Sequence, residues 1–220
     1  DAHDTYAIGE RDRFCTSPAI RIAGARVLEL ADAAVADVEL IDLYSCFPSA
    51  VQVAAQELGL PVGDPDRPLT VTGGLTFAGG PWNNYVTHSI ATMAEQLVAR
   101  PGARGLISAN GGYLTKHSFG VYGTEPPRHE FRWEDVQSAV DQEPTRVALV
   151  EWTGTGTVEA WTTPVDRDGR PQKAFLAVRT PEDARVLAVI DDPDQAGTTV
   201  IEDIAGAEVS VHPDGTASLG

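Results

Sequence analysis

The pattern of apolar residues changes near residue 145, and this change limits the folds that the chain can adopt. Up to residue 109 the sequence alternates between helical and strand-like spacing, in the order α-β-α-β-α-β. From residue 146 onward, short β-rich segments follow one another without helical periodicity. Alternating elements are typical of a layered α/β domain, whereas a succession of short strands is typical of a barrel. We therefore expect two domains, residues 1–145 and residues 146–220.

Local signals place the elements of the first part. One helix is predicted to begin at Pro18 with Ser17 as its N-cap, and a second begins at Pro48 and ends at Gly59. Further helices are predicted over about 84–99 and 133–141, strands over 38–44, 69–72 and 104–109, and a glycine-rich loop over 73–81.

The second part is predicted to consist of strands. These strands cover residues 147–152, 157–163, 174–178, 186–190 and 208–211, and turn formers such as 191–194 separate them. Five short strands in so few residues predict a small barrel of the oligonucleotide/oligosaccharide-binding (OB) topology.

Composition excludes several classes of function. The 220 residues include 16 basic and 32 acidic side chains, so the net charge is −16. A nucleic-acid binder needs a basic stripe, and an anionic membrane surface attracts basic segments, so we expect neither partner. No apolar run is long enough to span a membrane, and no signal peptide is present. Two cysteines and no metal-ligand spacing predict free thiols, no metal and a cytoplasmic location.

Three segments carry candidate chemistry. Residues 42–48 cross a strand-to-helix junction, where free amides favour a thiolate at Cys46, although a cysteine is also a small hydrophobe that packs in cores. The glycines of residues 73–80 let backbone amides approach a ligand, but their spacing fits neither a Walker loop nor a dinucleotide fingerprint.

The third segment, residues 108–118, ends a predicted strand with Asn110, Gly111 and Gly112. Ligands of open α/β sheets bind at the carboxyl ends of strands. Nearby, Lys116 and His117 can supply charge or transfer a proton, and the alternative is an exposed turn with two polar side chains.

In this order, the three segments resemble the C-terminal half of a thiolase, especially sterol-carrier-protein-type thiolases and actinobacterial thiolase-like proteins of the acetyl-CoA acetyltransferase type. Residues 43–47 resemble the family's His-Asp-Cys-Phe segment, and residues 73–81 resemble its Gly-Gly-x-x-x-x-Gly-His-Pro segment. Residues 108–112 resemble its Cys-x-Gly loop in position. The resemblance covers about residues 15–123, and residues 146–220 resemble the extra small β-barrel of the thiolase-like group.

The resemblance implies a layered half-domain and a longer protein, in which a preceding half supplies the nucleophilic cysteine. That N-terminal half, in the same or an associated chain, is the implied partner, and a homo-oligomer is a further expectation. By position, the family's histidine falls on Gly80, its His-Asp pair on Tyr44 and Ser45, and its loop cysteine on Ala109 or Asn110. The catalytic roles of this half are therefore expected to be degenerate.

The ligand implied by the resemblance is a coenzyme A thioester in lipid metabolism, with no permanently bound cofactor. The candidate catalytic residues are Tyr44, Cys46 and His117. The candidate substrate-binding residues, whose amides would form an oxyanion hole, are Gly79, Gly80, Asn110, Gly111 and Gly112.

Two kinds of function stay open. One is a degenerate acyl-CoA acyltransferase, or an aldolase or lyase in which Tyr44 is the acid/base. The other is a non-catalytic CoA-ester binding protein or partner subunit. The resemblance also predicts that Tyr44, Gly80 and Asn110 lie in one pocket at the carboxyl ends of the strands.

Overall fold

The computed structural model describes residues 1–220, which form two compact units. The first unit contains residues 1–6 and 13–143, and the second contains residues 7–12 and 144–220. The short N-terminal segment 7–12 thus belongs to the second unit, which nothing in the sequence indicates.

The first unit is a four-stranded sheet with helices on it. Its elements are β1 (Ala2–His3), α1 (Pro18–Leu30), β2 (Leu40–Asp42), α2 (Pro48–Leu58), α3 (Leu75–Ala78), α4 (Tyr85–Val98), β3 (Arg104–Gly111), β4 (Lys116–Gly123) and α5 (Gln137–Val140). The strand order is β1-β4-β3-β2, in which β2 and β3 are parallel and the other pairs are antiparallel.

Local signals set the helix boundaries. The Ser17 hydroxyl accepts a hydrogen bond from the Ile20 amide, and proline occupies the first turn of both α1 and α2. Gly59 ends α2 in the left-handed conformation, with φ of 67°.

Helices cover both faces of the sheet. The apolar faces of α1 and α2 pack around Leu106, whereas Met93 and Leu97 of α4 pack around Ile107. Because successive side chains of a strand point to opposite faces, these two clusters lie on opposite sides of β3. The predicted layered arrangement is confirmed.

The predicted strand at residues 69–72 is wrong. Only one backbone bond ties this segment to the strand region, from the Leu43 amide to the Leu69 oxygen at 2.9 Å. The amides of Val71 and Thr72 instead donate to the side chain of Asp42. A buried carboxylate has taken the donors that a strand ladder would use.

Two further predicted elements are shorter than expected. The strand predicted at 38–44 covers only Leu40–Asp42, and the helix predicted near 133–141 is the single turn of α5. The sequence also missed β1, which pairs with β4.

The second unit is built on a six-stranded sheet. Its elements are β5 (Ala148–Leu149), β6 (Gly154–Thr162), β7 (Ala174–Arg179), β8 (Arg185–Ile190), α6 (Pro193–Ile201), β9 (Glu208–Val211) and β10 (Ala217–Leu219), and its strand order is β10-β9-β6-β7-β8-β5.

The sheet of the second unit curls back on itself. A parallel bridge joins Val189 of β8 to Thr216, which directly precedes β10. The Val189 amide donates to the Gly215 oxygen at 3.1 Å. Five strands therefore follow one another in a ring that is closed by one bridge rather than by a full ladder, as in a partly open OB-type barrel. Inside lie buried side chains such as Val158, Leu176 and Ile190.

The second unit is not purely β, because α6 lies between β8 and β9. Its start is well marked: the Asp192 side chain accepts from the amides of Asp194 and Gln195, and Pro193 occupies the first turn. The prediction of a turn at 191–194 therefore missed an N-cap followed by proline. In neither unit does any helix combine the length and apolar character that crossing a membrane requires.

Candidate functional site

The first and third candidate segments, residues 42–48 and 108–118, meet at the carboxyl ends of β2 and β3. Because these strands are parallel neighbours, the residues that follow β2 lie beside the end of β3. The backbone amide of Tyr44 donates a hydrogen bond to the Ser108 hydroxyl at 2.9 Å. This bond ties the Tyr-Ser-Cys segment to β3.

A direct contact joins the two segments at their tips. The Asn110 side-chain amide donates to the Cys46 sulfur at 3.5 Å, and the thiol is exposed. Cys46 lies two residues before Pro48, the first residue of α2, and no side chain caps that helix. The amide donor and the N-terminus of α2 both place partial positive charge near the Cys46 sulfur.

The glycine-rich loop reaches the same place through Ser45. The Leu75 amide donates to the Ser45 hydroxyl at 3.1 Å. At Gly74, where φ is 79°, a Cβ atom would lie 2.7 Å from that same hydroxyl oxygen. Glycine is required here both by the backbone conformation and by the close approach.

Beneath this surface, the carboxylate of Asp42 gathers donors from two elements. One oxygen accepts from the Thr70 and Thr72 hydroxyls and from two backbone amides; the other accepts from Tyr85 at 3.1 Å and Ser89 at 2.8 Å. Asp42 is fully buried. It thereby joins the end of β2 to the glycine-rich loop and to α4.

Tyr44 contacts this network through Tyr85. Its ring contacts that of Tyr85 edge to face, with centroids 5.2 Å apart and planes at 83°. Burial, with smaller contributions from the nearby Cys46 and Tyr85, raises the pKa of the Tyr44 hydroxyl above its usual value. At neutral pH Tyr44 is therefore a hydrogen-bond donor and a proton donor rather than a base.

The structure does not bring every predicted residue into these contacts. Gly79 and Gly80 are exposed, and no atom lies within 4 Å of a Cβ built on either of them. Gly111 and Gly112 form the turn between β3 and β4, where Gly112 has φ of 66°. Their role in binding stays a prediction.

His117 is buried rather than exposed. It lies opposite Asn110 in the β3–β4 register, and its Nε2 atom is 3.9 Å from a carboxylate oxygen of Asp4. Asp4 in turn accepts from the Ser17 hydroxyl and from the Ala19 amide at the start of α1. The polar neighbour of this histidine is thus Asp4, and its predicted catalytic role stays a prediction.

A cavity of about 330 Å³ adjoins Asn110. It is lined by Asn110, Gly111 and His117, and by residues that the sequence did not single out, including His3 and Gln137. A second cavity of about 680 Å³ lies between α1, β4 and residues 125–134, and it contains none of the predicted site residues.

Sequence reasoning missed the residues that position the site, namely Asp42, Ser108 and Tyr85. Each is polar and at least nine-tenths buried. A carboxylate at the end of an apolar strand is an available signal, because a buried charge needs donors from elsewhere in the chain. Which donors it finds depends on the fold.

Comparison with known proteins gives a family match and a structural match. Residues 135–216 match the family model of the thiolase-like protein type 1 additional C-terminal domain. The fold is similar to the crystal structure of a monomeric SCP2-thiolase-like protein type 1 from Mycobacterium smegmatis, with a TM-score of 0.89 and 33% identity over 99% of this chain. The chain spans 49% of the length of that protein. No curated protein sequence matches the chain.

Proposed function

We propose that this chain, whose fold is similar to that of an SCP2-thiolase-like protein type 1 and whose second unit matches that group's additional C-terminal domain, binds an acyl-CoA thioester. The binding site is the edge of the sheet where Tyr44, Cys46 and Asn110 meet. The reaction proposed for this site is acyl transfer through Cys46. The residues that act as acid and base in the family are replaced here by other residues.

The observation that carries the proposal is the contact between the Asn110 amide and the exposed Cys46 sulfur. A thioester carbonyl carbon is attacked by thiolates, and a thiolate is stabilised by amide donors and by a helix N-terminus. At the position of the family's histidine stands Gly80, which cannot take a proton. Stabilisation of the thiolate by fixed dipoles is the activation that remains.

The proposed step is a thioester exchange. The sulfur of Cys46 attacks the carbonyl carbon, and a new carbon–sulfur bond forms while the bond to coenzyme A breaks. The leaving thiolate of coenzyme A takes up the proton of the Cys46 thiol. No oxidation or reduction occurs, and the products are an S-acyl cysteine and free coenzyme A.

Tyr44 favours a second candidate, a carbon–carbon lyase or aldolase on a CoA-linked substrate. The pKa of its hydroxyl is raised above the usual value, and Cys46 lies near enough to contribute to this shift. A neutral phenol can protonate a developing enolate or alkoxide at neutral pH. In this reaction Tyr44 is the acid and Cys46 carries no acyl group.

The partner we propose is the preceding half of the thiolase fold, in the same or an associated chain. Its support is that the Mycobacterium smegmatis relative is about twice the length of this chain. We also propose a cytoplasmic location, since both cysteines are free. That no cofactor is permanently bound is proposed from the resemblance to thiolases alone.

The test uses acetyl-CoA, acetoacetyl-CoA and longer 3-ketoacyl-CoA esters with the 220-residue chain. We expect an intact-mass increase equal to one acyl group, mapped by peptide mass spectrometry to Cys46. Cys46→Ser should abolish the adduct, whereas Cys15→Ser, which removes the other exposed thiol, should leave it unchanged.

Three results distinguish the candidates. Heat of binding in calorimetry without an adduct or turnover favours the non-catalytic binder. Substrate cleavage that is lost in Tyr44→Phe and kept in Cys46→Ser favours the lyase. Neither heat nor an adduct with any of these esters refutes the proposal for this chain.

A further inference from the structure

The second unit contains a buried arginine, and several of its hydrogen-bond acceptors lie near the N-terminus of the chain. Arg185 of β8 is fully buried, and its guanidinium makes two bonds of 2.7 Å to the carboxylate of Glu159. Its remaining N–H groups donate to backbone oxygens of residues 7–12, which we name the N-terminal strap. The acceptors are the oxygen of Gly9 at 2.8 Å, the oxygen of Asp12 at 3.2 Å, and the oxygen of Arg11. Removal of the strap would take these three acceptors away from a buried guanidinium.

A second arginine holds the end of the strap. Arg146 donates to the backbone oxygen of Asp12 and, at 3.2 Å, to its carboxylate. The same guanidinium donates to the carboxylate of Asp183 at 2.7 Å. Its backbone amide donates to the Glu10 oxygen at 2.8 Å. The strap is therefore bound through both its main chain and one side chain.

Steric fit adds a third element of recognition. The turn Ile8–Glu10 packs against β5 and β8. A Cβ atom on Gly9 would lie 3.1 Å from the Cβ of Ala148 in β5, tighter than ordinary contact. A small residue is thus required at this position of the strap.

The strap adds a carboxylate to a cluster of arginines. Three arginines of the barrel, Arg146, Arg179 and Arg185, face two carboxylates, Glu159 and Asp183. The carboxylate of Asp12 pairs with Arg146 and supplies a third negative charge. Because arginines outnumber carboxylates in this cluster, it attracts an acidic side chain.

We propose that this face of the barrel is a peptide-binding site, and that its ligand is the chain's own N-terminal strap. The site binds a short peptide through its backbone oxygens, with a small residue at the position of Gly9 and a carboxylate at the position of Asp12. Most of the hydrogen bonds to the strap are made to its backbone oxygens. The other side chains of the strap are therefore expected to contribute little to binding. This inference is independent of the acyl-transfer proposal, because it concerns the second unit alone.

The first experiment supplies the strap in trans. In a variant of the 220-residue chain, residues 7–12 are replaced by a strap that carries Gly9→Val and Asp12→Ala, so that it clashes with Ala148 and lacks the carboxylate. Exchange of the Arg146 amide hydrogen is followed by NMR. We expect exchange to be at least about tenfold faster than in the wild type, because this amide loses the Glu10 oxygen. A synthetic peptide of residues 5–14 should restore protection with a saturable dependence on its concentration.

The control peptide carries Gly9→Val and Asp12→Ala, and it should not restore protection. The proposal is overturned if both peptides protect equally, or if replacement of the strap leaves the exchange of the Arg146 amide unchanged. The amide of Arg185, which donates to the Val147 oxygen, reports whether the barrel itself is still folded.

A second variant keeps the test decisive if the strap replacement does not fold. Gly9→Ala places a methyl group against Ala148, whereas Gly197→Ala in α6 has 3.9 Å to its nearest neighbour. We expect Gly9→Ala alone to speed exchange at Arg146. Equal exchange in the two variants would show that the strap is not held by this fit, and would overturn the proposal.

Discussion

Replacing Asp42 tests whether one buried carboxylate holds the candidate site together. Asp42 is fully buried and accepts from the amides of Val71 and Thr72 and from the hydroxyls of Thr70, Thr72, Tyr85 and Ser89. In Asp42→Ala all of these donors lose the carboxylate, although the Thr72 amide keeps the Thr70 hydroxyl at 3.2 Å and the Thr72 and Tyr85 hydroxyls keep each other at 2.8 Å. We expect the first unit to lose stability and the glycine-rich loop to detach from β2.

The magnitude follows from the donors that cannot reorient. Hydroxyl groups can rotate to other partners and the Thr72 amide keeps the Thr70 hydroxyl, but the Val71 amide loses its acceptor. An unsatisfied buried donor costs about 1–3 kcal/mol, and a lost hydrogen bond to a charged group costs about 1.5–3 kcal/mol. Val71 and Thr72 are only half-buried, so water partly replaces the carboxylate. We therefore expect a loss of about 2–4 kcal/mol, in the lower part of the summed range. Asp42→Asn keeps one acceptor oxygen and should cost roughly half as much.

The assay is urea unfolding, with amide exchange of β3 reporting on the first unit. With an m-value of about 2 kcal/mol/M, the midpoint for Asp42→Ala should fall by about 1–2 M urea. Asp66→Ala removes an exposed carboxylate from the loop before this segment and should change stability by less than about 0.5 kcal/mol. If Asp42→Ala unfolds at the same urea concentration as Asp66→Ala, the carboxylate does not hold the loop and the reasoning is wrong.

Three further predictions address both units. Burial raises the pKa of Glu159, but hydrogen bonds from Arg185 and the nearby cationic charges outweigh burial and hold the pKa below its usual value. Its stabilising contribution is therefore present above about pH 4.3 and is lost as pH falls through the lower folded pKa, so Glu159→Gln should flatten the acid limb of stability against pH. The Tyr44 hydroxyl should titrate above about pH 10 in the difference absorbance between wild type and Tyr44→Phe, and a transition at or below that pH would contradict its burial. Its neutral form stabilises the fold below that pH, and this contribution is lost as pH rises through the folded pKa. Gly156→Ala should destabilise the second unit by about 1–3 kcal/mol in urea unfolding, because its Cβ would lie 2.7 Å from a backbone oxygen of β7. Gly197→Ala is the control, because the nearest atom to its Cβ would lie 3.9 Å away.

Amino-acid pattern was informative wherever the determining interaction was local. The starts of α1 and α2 depend on Ser17, Pro18 and Pro48, and the end of α2 depends on Gly59, all within a few residues of the boundary. Apolar periodicity likewise separated the layered unit from the strand-rich unit. The start of α6 had an equally local signal in Asp192 and Pro193, and the sequence analysis overlooked it.

For the site, the resemblance to thiolases predicted that Tyr44, Gly80 and Asn110 lie in one pocket at the carboxyl ends of the strands. Tertiary structure decided which of the predicted residues touch. Asn110 reaches Cys46, His117 faces Asp4 instead, and Gly80 stays exposed.

The long-range polar contacts were beyond sequence reasoning. The carboxylate of Asp42 takes the donors of a segment about thirty residues later, which therefore forms no strand. Arg185 takes the backbone oxygens of the N-terminal strap, 174 positions away at Arg11. A buried charge must be satisfied, and the sequence shows that requirement; only the folded chain determines which distant groups come close enough to meet it.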